Sequence, residues 1–292
     1  MPELQTISAE RSNLAAWFVD RHVHEGNGGR VALHSDTGAV TYAELAAQSA
    51  QAGSALLQLG ARRGDRVLLA LADSPAFVAT WYGAQRRGLV TAEVYTFLHP
   101  KDYAYYLEYT AATVVVTDAA TLPRIRAALT SSGASPSILV HGAAEGTLQP
   151  GEHAFDQVVS AQPRTLECVA LSPDDDAIWK FTTGSTGRPK ACVHTLRSPF
   201  ASHDAYAEGV LQLRQDDVVL PVPKLFFGYA RDLAALFPFG AGGAGIVFAD
   251  RTTPERVFEL IERHRPTVLV NVPTMMRSML DHPLARRADL RC

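Results

Sequence analysis

Short apolar runs and amphipathic stretches alternate along most of the chain. After a leading arm to about Gly29, with a short helix near Leu14 to His22, Val31–His34 and Ala39–Thr41 flank Asp36, Thr37 and Gly38 and predict a small hairpin. Thr41 and Glu44 spell T-x-x-E, a capping box that opens a helix ending at Gly60. Arg66–Leu71 reads as a buried strand, and Ser74 and Pro75 as the cap and first position of a helix closed by Gly88. Leu89–Val94 is the next strand. The helix after His99 and Pro100 places Tyr103, Tyr106, Leu107 and Thr110 on one face. Thr113–Thr117 predicts a strand, Leu122–Leu129 a helix and Ile138–Val140 a strand.

The second half repeats the alternation. Strands are expected at Ala177–Phe181, Val218–Pro221, Ile246–Ala249 and Val268–Val272, with helices at Phe200–Leu213, Asp232–Phe237, Thr253–His264 and Pro273–Leu280. Strand–helix alternation at this spacing predicts an α/β fold built of parallel βαβ units, with helices on both sheet faces. Two successive subdomains are expected, residues 1–176 and 177–292. The pattern stops on a helix, which reads as a chain cut before its second sheet is complete.

Composition narrows the class. Of 292 residues, 47% are hydrophobic and 20% charged, so a sizeable core is expected. A net charge of -3 gives no case for nucleic acid or an anionic membrane as partner. Cys168, Cys192 and Cys292 are too scattered for a disulfide framework or zinc site. The N-terminus has no apolar signal core, and no apolar run is long enough to span a bilayer, so a cytoplasmic protein is expected. Gly142–Glu152 reads as a surface excursion, and Asp174, Asp175 and Asp176 as a solvated turn instead of a metal site. Gly240, Gly242 and Gly245 precede an expected strand, so they make a turn and no dinucleotide fingerprint. Cys192 and His194 share a strand face without an orienting third group, and the histidines lack ligand spacing.

One stretch carries chemistry. Phe181 to Thr195 reads FTTGSTGRPKACVHT and follows an apolar, strand-like segment. Glycines let amides turn toward an anion, hydroxyls donate, and the lysine brings a point charge: a phosphate loop. It lacks the Gly-Lys-Ser/Thr ending of the Walker type, and Pro189 stiffens its exit. The order T-T-G-S-T-G-R-P-K resembles the signature of the adenylate-forming enzymes, which include acyl- and aryl-CoA ligases, luciferases and adenylation domains. That resemblance implies that Thr182, Thr183, Ser185, Thr186 and Lys190 hold ATP phosphates, with Gly184 and Gly187 allowing close approach.

A second passage, Lys224-Leu225-Phe226-Phe227-Gly228-Tyr229, follows a strand. By residue type alone, its aromatics read as core after a strand at least as readily as a pocket wall. With Val40–Leu45, Gly64–Val67 and Asp102–Glu108, it is similar to the benzoate and 2-aminobenzoate (anthranilate) CoA ligases. The resemblance implies an aryl-acid pocket at Phe227, Gly228 and Tyr229, with Asn271, Pro273 and Thr274, at another strand end, as further candidates. Ala191, where glycine is usual, and Ala230-Arg231-Asp232 depart from the pattern. The family's Thr-Glu passage, ribose-binding aspartate and small domain with the adenylation lysine have no counterpart here, so no catalytic residue or metal ligand is assigned.

The implied activity joins an aromatic carboxylic acid to ATP, with Mg2+, and transfers the acyl group to coenzyme A. Two other readings stay open: an adenylation domain loading a carrier-protein thiol, and a non-catalytic ligand-binding module. The ring substituents accepted are not legible.

Overall fold

The computed structural model describes residues 11–144, 146–183 and 187–290, Thr183 by its backbone only. In chain order, a π-wound turn at Ala16–Asp20 runs into α1 (Arg21–His24), followed by β1 (Val31–Ser35), β2 (Gly38–Thr41), α2 (Tyr42–Gln58), β3 (Arg66–Ala70), α3 (Pro75–Arg86), β4 (Val90–Glu93) and α4 (Pro100–Thr110). Next come β5 (Val114–Asp118), α5 (Leu122–Ser132), β6 (Ser137–His141), β7 (Glu152–Ala154), α6 (Phe155–Ser160), β8 (Asp176–Thr183), β9 (Pro189–Thr195) and α7 (Arg197–Ser202). A π-wound helix at His203–Leu211 leads to β10 (Val218–Pro221), α8 (Gly228–Ala235), α9 (Phe237–Ala241), β11 (Ala244–Ile246), α10 (Pro254–His264), β12 (Val268–Val270), α11 (Pro273–Asp281) and a closing turn at Pro283–Arg286.

These elements form two compact units. The first holds Met1–Arg21, Ala46–Ala72 and Ala76–Phe200; the second holds His22–Leu45, Asp73–Pro75 and Ala201–Cys292. The first unit carries a seven-stranded sheet in the order β7-β6-β5-β3-β4-β8-β9, parallel except for the β8–β9 hairpin. Its core packs Leu68, Val115 and Ile138 from the strands against Tyr103 and Leu107 of α4 and Ile125 of α5. The face expected for α4 is the buried one: Tyr103, Tyr106, Leu107 and Thr110 all point inward.

The second unit carries a five-stranded sheet in the order β12-β10-β11-β1-β2, parallel except between β1 and β2. The capping box forms as expected: Thr41 N donates to Glu44 Oε2 at 2.8 Å and Glu44 N to Thr41 Oγ1 at 3.2 Å. The apolar face of α10 packs Val257, Phe258 and Ile261 against Leu220 and Ile246 of the sheet.

The fold is α/β, as the alternation predicts, but the sheets do not divide at residue 176. β8 joins the first sheet, with Thr91 beside Ile178, and β1 joins the second, with Leu33 beside Gly245. Such distant pairings leave no local trace in sequence. β7 and α6 follow the Gly142–Glu152 excursion where no element is expected from the sequence, and α8 starts at Gly228, ahead of its expected start at Asp232. The three spaced glycines also divide: Gly240 ends in α9, Gly242 caps it at φ +79, and Gly245 lies inside β11. A Cβ at Gly245 would meet the Ala234 carbonyl oxygen at 1.8 Å, so that glycine permits α8 to lie directly on the strand.

Candidate functional site

In the first unit, the phosphate-loop sequence sits between β8 and β9. β8 runs parallel to β4 and carries its C-terminal end to Thr183; β9 then returns antiparallel as the edge strand. A strand returns where the Walker loop enters a helix, in line with the missing Gly-Lys-Ser/Thr ending. Thr182 stands opposite Lys190 in the ladder, and both are exposed. Thr183 pairs with Pro189. Gly187 takes φ +82 with open space around it, so backbone conformation, not crowding, calls for glycine there. Gly184, Ser185 and Thr186 lie outside the described residues.

Two tyrosines of α4 hold the returning strand. Tyr105 Oη donates to the Pro189 carbonyl at 2.6 Å, and the Ala191 amide donates to Tyr109 Oη at 3.4 Å. Lys190 lies between those two anchored residues. The Phe181 ring packs edge-on to Tyr106 at 4.6 Å and to Tyr109 at 5.8 Å. The buried face of α4 was legible in sequence; this second, tyrosine-bearing face was not. Its signal was the i,i+4 spacing of Tyr105 and Tyr109. Ala191, the departure from the usual glycine, supplies one of the anchored amides.

In the second unit, β10 lies between β12 and β11, all parallel, so their C-terminal ends open on one side of the sheet. Pro221 of β10 stands beside Val270 of β12. The two candidate acid-binding segments, Phe227–Tyr229 and Asn271–Thr274, therefore leave neighbouring strand ends. Phe227 and Tyr229 are 54% and 51% exposed, which removes the reading of both as core. Phe226 and Phe227 stack obliquely at 4.1 Å. Gly228 opens α8, with Phe227 in extended backbone before it. Asn271 is turned to local bonding: its Oδ1 accepts from the Val272 amide at 2.8 Å and its Nδ2 faces Met279 Sδ at 3.4 Å. Pro273 starts α11 and Thr274 is exposed in its first turn. Arg231, another departure from the family pattern, is 2% exposed and paired with Asp232 at 2.7 Å, so its charge is spent inside the unit.

Lys224, the first residue of the passage, does not reach for solvent. Its Nζ donates to the Phe248 carbonyl at 2.7 Å and stands 3.5 Å from the centroid of the Phe248 ring. Asp73, which sequence reading passed over, accepts from the buried Leu225 amide, 3.1 Å from each carboxylate oxygen. Burial pushes the Asp73 carboxyl up to about 7, against the downward pull of Lys224 and the Leu225 amide. Burial likewise brings the Lys224 ammonium down to about 8, against Asp73, Asp250 and Asp36.

Two clusters fall outside this site. Asp174 pairs with Arg197, and Asp175 with Arg63 at 2.6 Å, which suits the solvated turn expected of that stretch. His203 faces its neighbour Asp204 at 3.3 Å and, because the π winding brings residues five apart together, Glu208 at 3.5 Å, a spacing that the α-helical period does not produce. Among the described residues, no helix is long and apolar enough to cross a membrane.

With this geometry in place, comparison with known proteins fixes the class. Residues 19–291 match the AMP-binding enzyme family, and the chain belongs to it. It is 34% identical over 275 residues to a benzoate–CoA ligase of Thauera aromatica, covering 94% of this chain and 51% of that one. It is 33% identical to a 4-hydroxybenzoate–CoA/benzoate–CoA ligase of Rhodopseudomonas palustris, covering 95% and 51%. The fold superposes on a benzoate CoA ligase from Burkholderia xenovorans LB400 with a TM-score of 0.85 at 31% identity, over 95% of this chain and 54% of that one. An anthranilate CoA ligase solved with anthranoyl-AMP gives 0.90 at 26%, over 95% and 53%. The chain spans about half the length of the curated relatives it matches.

Proposed function

We propose that this chain supplies the nucleotide-phosphate and aryl-acid binding parts of an AMP-forming aryl-acid–CoA ligase. The observation that carries the aryl reading is the Lys224–Tyr229 passage: an aromatic pair left exposed beside a glycine, at the open ends of parallel strands. The names of the benzoate–CoA and anthranilate CoA relatives support the same reading.

In the first step, a carboxylate oxygen of the acid attacks the α-phosphorus of ATP. The bond to the bridging oxygen of the β-phosphate breaks, and pyrophosphate leaves. In the second, the thiolate of coenzyme A attacks the acyl carbon and AMP leaves. Both steps depend on positioning and charge neutralisation. Thr182, Thr183, Gly184, Ser185, Thr186, Gly187 and Lys190 are assigned to the ATP phosphates. An exposed threonine opposite an exposed lysine is a donor set suited to a polyanion. Phe227, Gly228 and Tyr229 are assigned to the ring, with Pro273 and Thr274 at its margin and Asn271 shaping the neighbouring strand end. Mg2+ would accompany ATP and neutralise its phosphates; no residue of this chain is assigned to it.

The test is pyrophosphate release with ATP, Mg2+ and benzoate, 2-aminobenzoate, 2-hydroxybenzoate or octanoate. It is run on this chain and on the chain fused to the part of the Thauera aromatica ligase outside the match. Aryl-dependent release that is lost on Lys190→Ala is the expected result. Silence from a folded fusion with every acid would sink the ligase reading in favour of a binding module.

A further inference from the structure

Asp73 has no part in the reaction outlined above, yet the structure spends a buried carboxylate on it. The residue is 6% exposed, and such a group persists only when bonded and charge-balanced. Its bond is to the backbone of the acid-binding passage. The Leu225 amide it accepts from belongs to a turn closed by the Phe227 amide on the Lys224 carbonyl at 3.0 Å. Lys224 fixes the start of that turn to the Phe248 carbonyl, after β11. The Phe227 carbonyl then accepts from the Arg231 amide at 3.0 Å, so the turn runs straight into α8. Anything that moves Leu225 therefore moves Phe227 and Gly228. Binding and reaction geometries tolerate only about 0.5 Å of such displacement.

We propose that Asp73 is a positioning residue for the acid site: through the Leu225 amide and Lys224 it fixes the turn that sets the Phe227–Tyr229 wall, and loss of its charge loosens acid binding. The acid-binding half of this inference rests on the aryl-acid reading of that passage. A carboxylate acceptor binds an amide more strongly than a carboxylic acid does. The charged group facing Asp73 is Lys224; Asp250, Asp36 and Arg256 in turn act on Lys224. Protonation of Asp73, whose carboxyl titrates near 7, weakens the tether. The aryl acid itself stays ionised between about pH 6 and 8.

The test uses this chain with Asp73→Ala and Asp73→Asn. Two quantities are read: hydrogen-exchange protection of the Leu225 amide by NMR, with the intrinsic rate divided out, and binding of 2-aminobenzoate by its own fluorescence. Alanine removes the acceptor, and the expected result is about a tenfold or greater loss of protection with about a fivefold loss of affinity. Asparagine keeps a neutral acceptor and restores much of both. In the wild type, protection and affinity fall together as pH drops through about 7; in the asparagine variant they do not change with pH. Unchanged Leu225 protection in the alanine variant overturns the proposal. So does lost protection with undiminished affinity. If alanine prevents folding, a wild-type pH profile as flat as that of Asp73→Asn overturns it. If Asp73→Ala loses Leu225 protection but the wild-type chain binds no aryl acid, the tether stands while the acid-pocket reading falls, and with it the acid-binding half of the proposal.

Discussion

Lys190 and Lys224 each stand in a passage assigned to binding, and their surroundings are opposite. Lys190 is exposed on an edge strand, between two backbone groups anchored by tyrosine hydroxyls. Lys224 is drawn inward, bonded to a carbonyl and balanced against a buried carboxylate. In the first, the protein fixes the backbone and leaves the charge available for a ligand. In the second, it consumes the charge to fix the backbone and leaves aromatic surface available. A polyanion calls for the first arrangement, and a flat acid calls for the second.

That contrast can be broken by crossed substitutions. Lys224→Ala strips Asp73 of its cation. The expected loss is about 3 kcal/mol in folding stability, at the low end for one-sided removal because Asp73 can take up a proton. Urea denaturation measures it, and ATP affinity should be unchanged. Lys190→Ala should do the reverse: about a thirtyfold loss of ATP affinity by equilibrium binding, with stability altered by no more than about 0.5 kcal/mol. Equal effects of both variants on stability would abolish the distinction.

A pH series sharpens it. The Asp73 carboxyl is raised from 3.8 to about 7, so the folded chain keeps a proton there that the unfolded chain has lost. Its stabilising share is full below 3.8 and disappears as pH rises through about 7. The Lys224 ammonium is lowered from 10.5 to about 8, so its share is full above 10.5 and disappears as pH falls through about 8. Together they predict least help to folding between about 7 and 8. The slope on each side is at most about 1.4 kcal/mol per pH unit for one proton. Asp73→Asn should erase the acid-side limb alone. The smallest effect belongs to the hairpin: Tyr105→Phe should cost about 1 kcal/mol, with a measurable fall in ATP affinity because the strand beside Lys190 loses an anchor.

What the sequence disclosed follows the range of the interactions involved. The capping box at Thr41 and Glu44 and the buried face of α4 are local patterns, and both were legible. The run between β8 and β9, assigned above to the ATP phosphates, stood out as an ordered set of residue types, and the Lys224–Tyr229 passage stood out through its resemblance to aryl ligases. Residue type alone did not tell exposed aromatics from core; that needed the open strand ends of β10 and β12. Asp73 stayed hidden because its partner amide lies at Leu225, and no periodicity links positions so distant in the chain. The division of the sheets was hidden for the same reason, since β1 pairs with β11 and β4 with β8.

The tyrosine anchors have one more consequence. β9 is the outermost strand of its sheet, and an edge strand offers unpaired amides to any other extended chain. Tyr109 already occupies the Ala191 amide, and Tyr105 the Pro189 carbonyl. Pro189 itself has no amide to offer. At these two residues the edge has less to offer an added strand, so the same hydroxyls that flank Lys190 also blunt edge-to-edge pairing at the start of β9.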